Sequence, residues 1–401
     1  MSAEFQKILL DADSGVYLQN WRTSAEDFPG RKHGGPKWCI HKGVLVGGRQ
    51  HGVDLLRVDN GCFAFDIIPT RGMGIQEATF DGIRLGWDSP ISEVVHPAYV
   101  DYEEMGGLGW LRGFSEWFVR CGMTSVGAPC QDRVKDNQGR IMEATRTLHG
   151  RVANTPASYV AVRVATEPPY EIRVHGTVLE SRMFGENLRL DTVISTIPGS
   201  NQVRIQDRVT NCRAVPDQMQ MLYHINYGSP MLEPGSRLLM AADLVMPREP
   251  YPRAEVRAYD RYGEPQAGKV EQCFFMLPRA DRRGVCCHGL RNSAGDLAIS
   301  HTYLRKQLPC FTQWKNEAAQ QDGYVTGLEP GTSYPNPISF ERKQGRIKRL
   351  GPGKSWSSEI TLAVHVGRKA VTALQRRIKA VQGRASPRVL PAPSAAYGES
   401  T

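Results

Sequence analysis

The sequence predicts an all-β protein, on three observations. Short segments alternating between apolar and polar residues recur along most of its length, compact turn signals separate them, and helical periodicity is sparse. VDLLRV, CFAFDII, YEIRVHGTVLES, LRLDTVIS, QVRIQDRVT, LAISHTY and SEITLAVHV read as strands. DNG (59–61), FDG (80–82), IPGS (197–200), EPGS (233–236) and LGPGK (350–354) place Gly or Pro where tight reversals need them. Over residues 171–211 the alternation persists with only FGEN and IPGS as breaks, a β-meander. Stacking large antiparallel sheets is the economical way to bury one face of each strand. With 40 Gly and 26 Pro in 401 residues the chain can form a sizeable core interrupted by many turns.

Two segments carry helical pattern. One lies near Ile91–Met105, opened by SPISEVV; the other is GRKAVTALQRRIKAV (367–381), with apolar residues three and four apart. All-β chains of this length often form one unit, so residues 1–382 are expected to be a single domain, with 1–50 as an extension packed on it. The Pro, Ala and Ser content of 383–401 predicts a disordered tail.

Charge and cysteine usage narrow the function classes. The net charge of +9 is concentrated late: residues 342–401 carry 13 Lys and Arg against Glu359 and Glu399, leaving the rest near neutral. A basic body for nucleic acid is therefore not expected, and the basic tail reads as solvated surface. No apolar run is long enough to span a bilayer, and the N-terminus lacks a signal-peptide pattern. The nine cysteines are odd in number and scattered, which predicts reduced thiols and a cytoplasmic address. Cys286-Cys287-His288 and Cys39-Ile-His41 place metal ligands too close together for a complete set, so no metal is expected. Without a phosphate-binding loop or GxGxxG, nucleotide chemistry has no support.

Several side chains could carry chemistry, each with a plainer alternative. His149, in TLHGRVANTPASY, sits at a crowded turn beside Gly150 and Arg151; it could face a ligand or lie at the surface. His224, in QMQMLYHINYGSP, shares a strand face with Asn226 at the period of two. This polar pair on an apolar strand needs partners, either as a site or as a core histidine satisfied by backbone. Glu329, in GYVTGLEPGTSYPNP, precedes Pro330, which restricts it to extended geometry. A partly desolvated carboxylate so held suits a general base; otherwise it is a turn glutamate. Arg112 in GGLGWLRGF and Trp314-Lys315 in CFTQWKNE offer a guanidinium, an aromatic face for sugar C–H groups and a cation, or ordinary packing. Arg71 in IIPTRGMGI binds ligand or pins its turn.

Taken in order, GVDLLRVDNGCFAFDIIPTRGMGIQEATFDGIRLGWDSP, GWLRGF, LHGRVANTPA, YHINYGSP, GLEPGT…NP and L-GPGKSW resemble the aldose 1-epimerase-like (galactose mutarotase-like) proteins, over about Gly52–His365. More narrowly, they resemble its divergent bacterial branch, long described as a domain of unknown function. The resemblance implies a galactose-mutarotase-like β-supersandwich. It places the catalytic base on Glu329 and the paired acid on His224, with His149 as a substrate-binding histidine. The binding arginine falls on Arg112, with Arg71 and Arg151 as competitors, and Asp260 is a candidate for the sugar-binding aspartate. Leu148-His149 stands where the better-known mutarotases carry Asn-His. The implied activity is cofactor-independent interconversion of sugar anomers by ring opening and closure. An isomerase or lyase acting on a sugar acid, or a non-catalytic carbohydrate-binding protein, are the alternatives. The expected partner is a small carbohydrate, bound by a monomer or homodimer; Arg112, Arg151 and Lys315 would admit an acidic, phosphorylated or sulfonated one.

Overall fold

The computed structural model describes residues 4–28 and 37–398. Two large sheets, of 14 and ten strands, dominate it, with a separate hairpin formed by Cys130–Lys135 and Ile141–Arg146. The architecture is the all-β one the alternation predicts. In the ten-stranded sheet the meander is realised as Ile172–Ser181, Asn187–Thr196 and Gln202–Asn211, joined antiparallel in sequence order. Alternate residues of Ile172–Ser181 are buried, so one face of the strand turns inward. Val174, Val178, Leu190, Ile194, Val203 and Ile205 pack in one core cluster with Phe65, Ile67, Phe118, Tyr223 and Ile225 of the larger sheet. Burying each such side chain contributes roughly 1.5–3 kcal/mol.

The middle of the larger sheet differs. Phe118–Met123, Val325–Gly331 and most of Asp217–Tyr227 are buried on both faces. One face meets the inter-sheet core. The other is covered by an apolar cluster in which Trp87, Trp110 and Phe114 from connecting segments pack with Val119, Cys121, Leu222 and Val325. The order across this region is Ala242–Pro247, Gln272–Pro278, Cys310–Asn316, Val325–Gly331, Asp217–Tyr227 and Phe118–Met123. Within the expected extension 1–50, Glu4–Asp11 pairs with Ala157–Ala165 in the smaller sheet, and Trp21–Ser24 and Cys39–Val44 extend the larger one. Residues 1–3 and 29–36 of that stretch lie outside the described residues.

Two expectations need correction. The helix near Ile91–Met105 is not formed: the segment holds a 3-10 turn at Pro97–Tyr99 and the start of a four-residue helical turn at Glu104–Gly107, inside which Met105 and Gly106 take left-handed φ values of 50° and 73°. Pro97 and the Gly106-Gly107 pair interrupt any longer helix. The tail expected to be disordered is ordered through Gly398, with 399–401 outside the described residues. Arg388–Val389 adds a parallel strand to Ala242–Pro247. Further on, Asn336 Nδ2 donates to the Tyr397 carbonyl at 2.8 Å, Arg346 Nη1 donates to the Ala396 carbonyl at 3.1 Å, and the Tyr334 and Tyr397 rings lie 6.2 Å apart. The composition is that of a disordered segment, but its few apolar residues find a sheet edge and an aromatic pocket. The other helix forms at Arg368–Gln382, burying Val371, Leu374 and Ile378 at helical spacing.

Candidate active site

His224 and Asn226 stand on one face of Asp217–Tyr227, as their period of two dictates. Asn226 Nδ2 donates to the Glu116 carbonyl at 2.9 Å, which fixes the amide and turns its Oδ1 to His224 Nδ1, 2.6 Å away. An oxygen there requires the proton on Nδ1, so in the neutral ring Nε2 carries the lone pair. That nitrogen faces Glu329 on the adjacent strand, where Ile225 pairs with Leu328 and Asn226 with Gly327. Glu329 Oε1 lies 3.1 Å from His224 Nε2, yet off hydrogen-bond geometry, and it accepts no hydrogen bond.

Gly327 makes the approach possible. A Cβ there would stand 2.6 Å from Glu329 Oε1 and 2.8 Å from His224 Cε1. Burial pushes the Glu329 carboxyl well above the usual carboxylate range, with Glu271 adding to the rise. Burial lowers His224 to about 3, reinforced by His149 and opposed by the hydrogen bond to Asn226. Both members thus favour their neutral forms.

His149 joins the pair from the LHG turn. Its backbone is left-handed, φ 57°, and the following Gly150 has φ 69° with no room for a side chain beside the Gly122 and Ser125 carbonyls. A strained backbone held by tight packing fixes the direction of the imidazole. Its Nδ1 lies 3.0 Å from the Val126 carbonyl and its ring centroid 5.7 Å from that of His224. Burial lowers its pKa to about 4. Around His224 stand Phe114, Trp314 and Trp110, with centroids at 5.0, 5.4 and 6.1 Å. Trp314 remains partly exposed beside His224 and Glu329.

The structure brings Glu329, His224, Asn226, His149 and Trp314 together; the other candidates lie elsewhere. Arg71 is buried and fully engaged, with Glu116 at 2.6 Å and the Val95 and Gly113 carbonyls at 2.8 Å each. It pins its turn. Arg112 is exposed and paired with Glu104. Arg151 stacks over Tyr102 with its guanidinium carbon 4.6 Å from the ring centroid. Lys315, one residue from Trp314, points to the opposite sheet face, where it pairs with Glu317 at 3.3 Å and approaches the Tyr262 ring. Asp260 pairs with Arg237 at 2.6 Å in a cleft bordered by the helix Arg368–Gln382.

Three residues without a motif of their own complete the surroundings. Arg248 follows Ala242–Pro247 and donates its backbone N–H to the Cys273 carbonyl at 2.8 Å. Cys273 pairs with Trp314, and Trp314 with Gly327, so Arg248, Cys273, Trp314, Gly327 and Asn226 form a row across one sheet face. Glu271 lies one pleat beyond Cys273 on the same face and accepts from Trp314 Nε1 at 2.6 Å. Only cross-strand register reveals this row. Among the described residues no three His, Cys, Asp or Glu side chains gather as a metal site, and no helix is long and apolar enough to cross a membrane.

Two stacked antiparallel sheets carrying this site define the chain as galactose-mutarotase-like in fold. More particularly, residues 50–364 match the model of DUF4432, a domain of unknown function, and the chain belongs to that family. Among solved structures, a "putative aldose 1-epimerase" from Klebsiella pneumoniae subsp. pneumoniae MGH 78578 is 35% identical, over 98% of this chain and 100% of that one, with a TM-score of 0.90. A galactose mutarotase-like protein from Clostridium acetobutylicum is 14% identical, over 82% of this chain and 98% of that one, with a TM-score of 0.56, which shows the shared fold. No curated protein matches the chain.

Proposed function

We propose that the protein interconverts the anomers of an aldose, with Glu329 and His224 as its acid–base pair. The observation that carries this reading is the 3.1 Å approach of Glu329 Oε1 to His224 Nε2 within a buried site. Likeness to a structure named a "putative aldose 1-epimerase", and in fold to a galactose mutarotase-like protein, supports it.

The pair holds one exchangeable proton and has two forms. In the first, a carboxylate faces an imidazolium: Glu329 removes the anomeric hydroxyl proton while His224 Nε2 protonates the ring oxygen, and the C1–O5 bond breaks to give the open aldehyde. This leaves a carboxylic acid facing a neutral imidazole, the form that burial favours. After rotation about C1–C2 the same residues act in reverse. His224 takes the O5 proton as O5 attacks C1, and Glu329 returns a proton to O1 on the other face. Asn226 holds Nδ1–H throughout, so only Nε2 exchanges. His149 and Trp314 bind and orient the ring. No redox partner is required, and protons balance over the cycle.

Saturation-transfer NMR on an equilibrated aldose tests the proposal by reading exchange between the two anomeric protons. Acceleration by the wild type, lost in Glu329→Gln with an unchanged melting temperature, is expected. Equal exchange rates in the two proteins would remove Glu329 from the mechanism.

A further inference from the structure

One edge of the ten-stranded sheet is the short strand Arg237–Met240, paired antiparallel with Val285–Arg291. Register sets Arg237 directly opposite Arg291. The helix Arg368–Gln382 lies over the same face, where its Val371, Leu374 and Ile378 pack with Leu239 and Cys287, residues that share the face of Arg237 and Arg291 by the strand period of two. Between helix and strands opens a cleft of about 300 Å³, lined by Arg237, Arg291, Asp260, Gln375 and Lys379 over the apolar Ile378. We propose that this cleft is a second binding site, separate from the acid–base pair on the other sheet, and that its ligand is a small phosphate monoester. The inference does not depend on the reading of Glu329 and His224.

The cations outnumber their partners. Like charges directly opposite on neighbouring strands destabilise a sheet unless an anion lies between them. Asp260 serves one of the two arginines, its Oδ2 accepting from Arg237 Nη2 at 2.6 Å. Arg291 has no carboxylate: Nη1 donates to the Asn292 and Ser293 carbonyls at 2.9 and 3.3 Å, and Nε is buried without an acceptor. Among the described residues neither Arg291 nor Lys379 forms an ion pair, and the Gln375 amide makes no hydrogen bond, although all three line the cleft. Three cations against one carboxylate leave two positive charges, which a phosphate monoester of about −1.5 to −2 neutralises.

Geometry favours the same class. A carboxylate brings one charge and two oxygens, whereas a phosphate brings three oxygens, enough to meet two guanidinium forks and an ammonium together. The last carbonyls of a helix would oppose an anion, but here they are engaged: the Gly383 N–H donates to the Lys379 carbonyl at 2.9 Å, and Arg279 Nη1 donates to the Gln382 carbonyl. The cleft is at the small end of the range for ligand sites, so the group esterified to the phosphate is compact, and Ile378 offers it an apolar contact.

Titration calorimetry of the full chain at constant ionic strength tests this, with glycerol 3-phosphate, inorganic phosphate and glycerol as probes. Glycerol 3-phosphate should bind saturably and more tightly than inorganic phosphate, and glycerol should not bind. Arg291→Met should weaken glycerol 3-phosphate about tenfold, the loss of one charge-assisted contact, and the exposed Lys379→Met should weaken it less. Asp260→Asn removes the competing carboxylate and should tighten binding, a gain that misfolding cannot produce, so the site stays testable if Arg291→Met does not fold. Glu329→Gln should leave the affinity unchanged. No saturable binding below about 10 mM, tighter binding of inorganic phosphate than of the ester, weaker binding in Asp260→Asn, or affinity unchanged in both Arg291→Met and Lys379→Met would overturn the proposal. Binding lost in Glu329→Gln would also overturn it, by placing the phosphate at the acid–base pair.

Discussion

Two chains of buried polar groups, each built on histidine, lie on opposite faces of the larger sheet. On one, Asn226 meets His224 Nδ1, and His224 Nε2 faces an unsatisfied Glu329 oxygen. On the other, Tyr227 Oη stands 2.6 Å from His301 Nε2, and His301 Nδ1 stands 2.8 Å from His288 Nε2. Burial depresses the histidines of both; His224 and His301 each fall to about 3. A shifted pKa therefore does not separate a site from a core. The difference lies in access. His301 uses both ring nitrogens within the sealed space between sheets, whereas His224 leaves one facing a carboxyl beside a partly exposed tryptophan. Each chain ends on an unpartnered buried atom, Glu329 Oε1 in the first and His288 Nδ1 in the second, but only in the first does that atom lie beside a partly exposed side chain that a ligand can reach.

Breaking each chain should have opposite consequences. Glu329→Gln or His224→Gln should reduce anomer exchange by about 10²–10⁴-fold, while His301→Gln leaves the exchange rate per folded molecule within about threefold. A large loss in His301→Gln would mean the two chains communicate. Next in size is Gly327→Ala. Its Cβ would push apart Glu329 and His224, and misplacement by about 1 Å can cost on the order of 10²-fold in rate; NMR exchange rates with a preserved melting curve would show it. Tyr227→Phe removes the partner of His301 Nε2 and should cost about 1–3 kcal/mol in denaturant unfolding, with activity retained.

The smallest effect is on pH dependence. A pair that works with one proton loses activity when that proton leaves, as pH rises through the elevated Glu329 pKa. Activity also falls when a second proton enters, as pH drops towards the His224 value of about 3. Exchange should therefore persist below the ordinary carboxylate range. In Asn226→Asp a carboxylate beside Nδ1 favours the imidazolium, which should move the acidic limb upward by about 1–3 units. An acidic limb that stays in place would mean that Nδ1 is not the anchored nitrogen.

These contrasts also mark what the sequence could reveal. His224 and Asn226 share a face because strand side chains alternate, and Glu329 is held extended because proline follows it; both are local rules. Arg71 had two readings, and its surroundings decide for the plainer one: a guanidinium meeting Glu116 and two carbonyls has nothing left for a ligand. Arg248 and Glu271 carried no local signal. They reach the site through pairings between strands distant in sequence, which one sequence does not specify. Asp260 shows the same limit in reverse, being paired with Arg237 by contacts that no motif announces. The fold was legible because alternation and turns recur so often that no single pairing has to be known.

The ordered C-terminal segment bears on how the protein can be handled. Its Ala396 and Tyr397 carbonyls accept from Arg346 and Asn336, and Asn336 lies seven residues beyond Glu329 on the loop leaving that strand. The last stretch of chain thus works as a clasp on the far side of the carboxyl-bearing strand. Removing Arg388–Tyr397 would bare the edge of Ala242–Pro247 and leave Asn336 and Arg346 without these carbonyl partners, so the loop that follows Glu329 should loosen first.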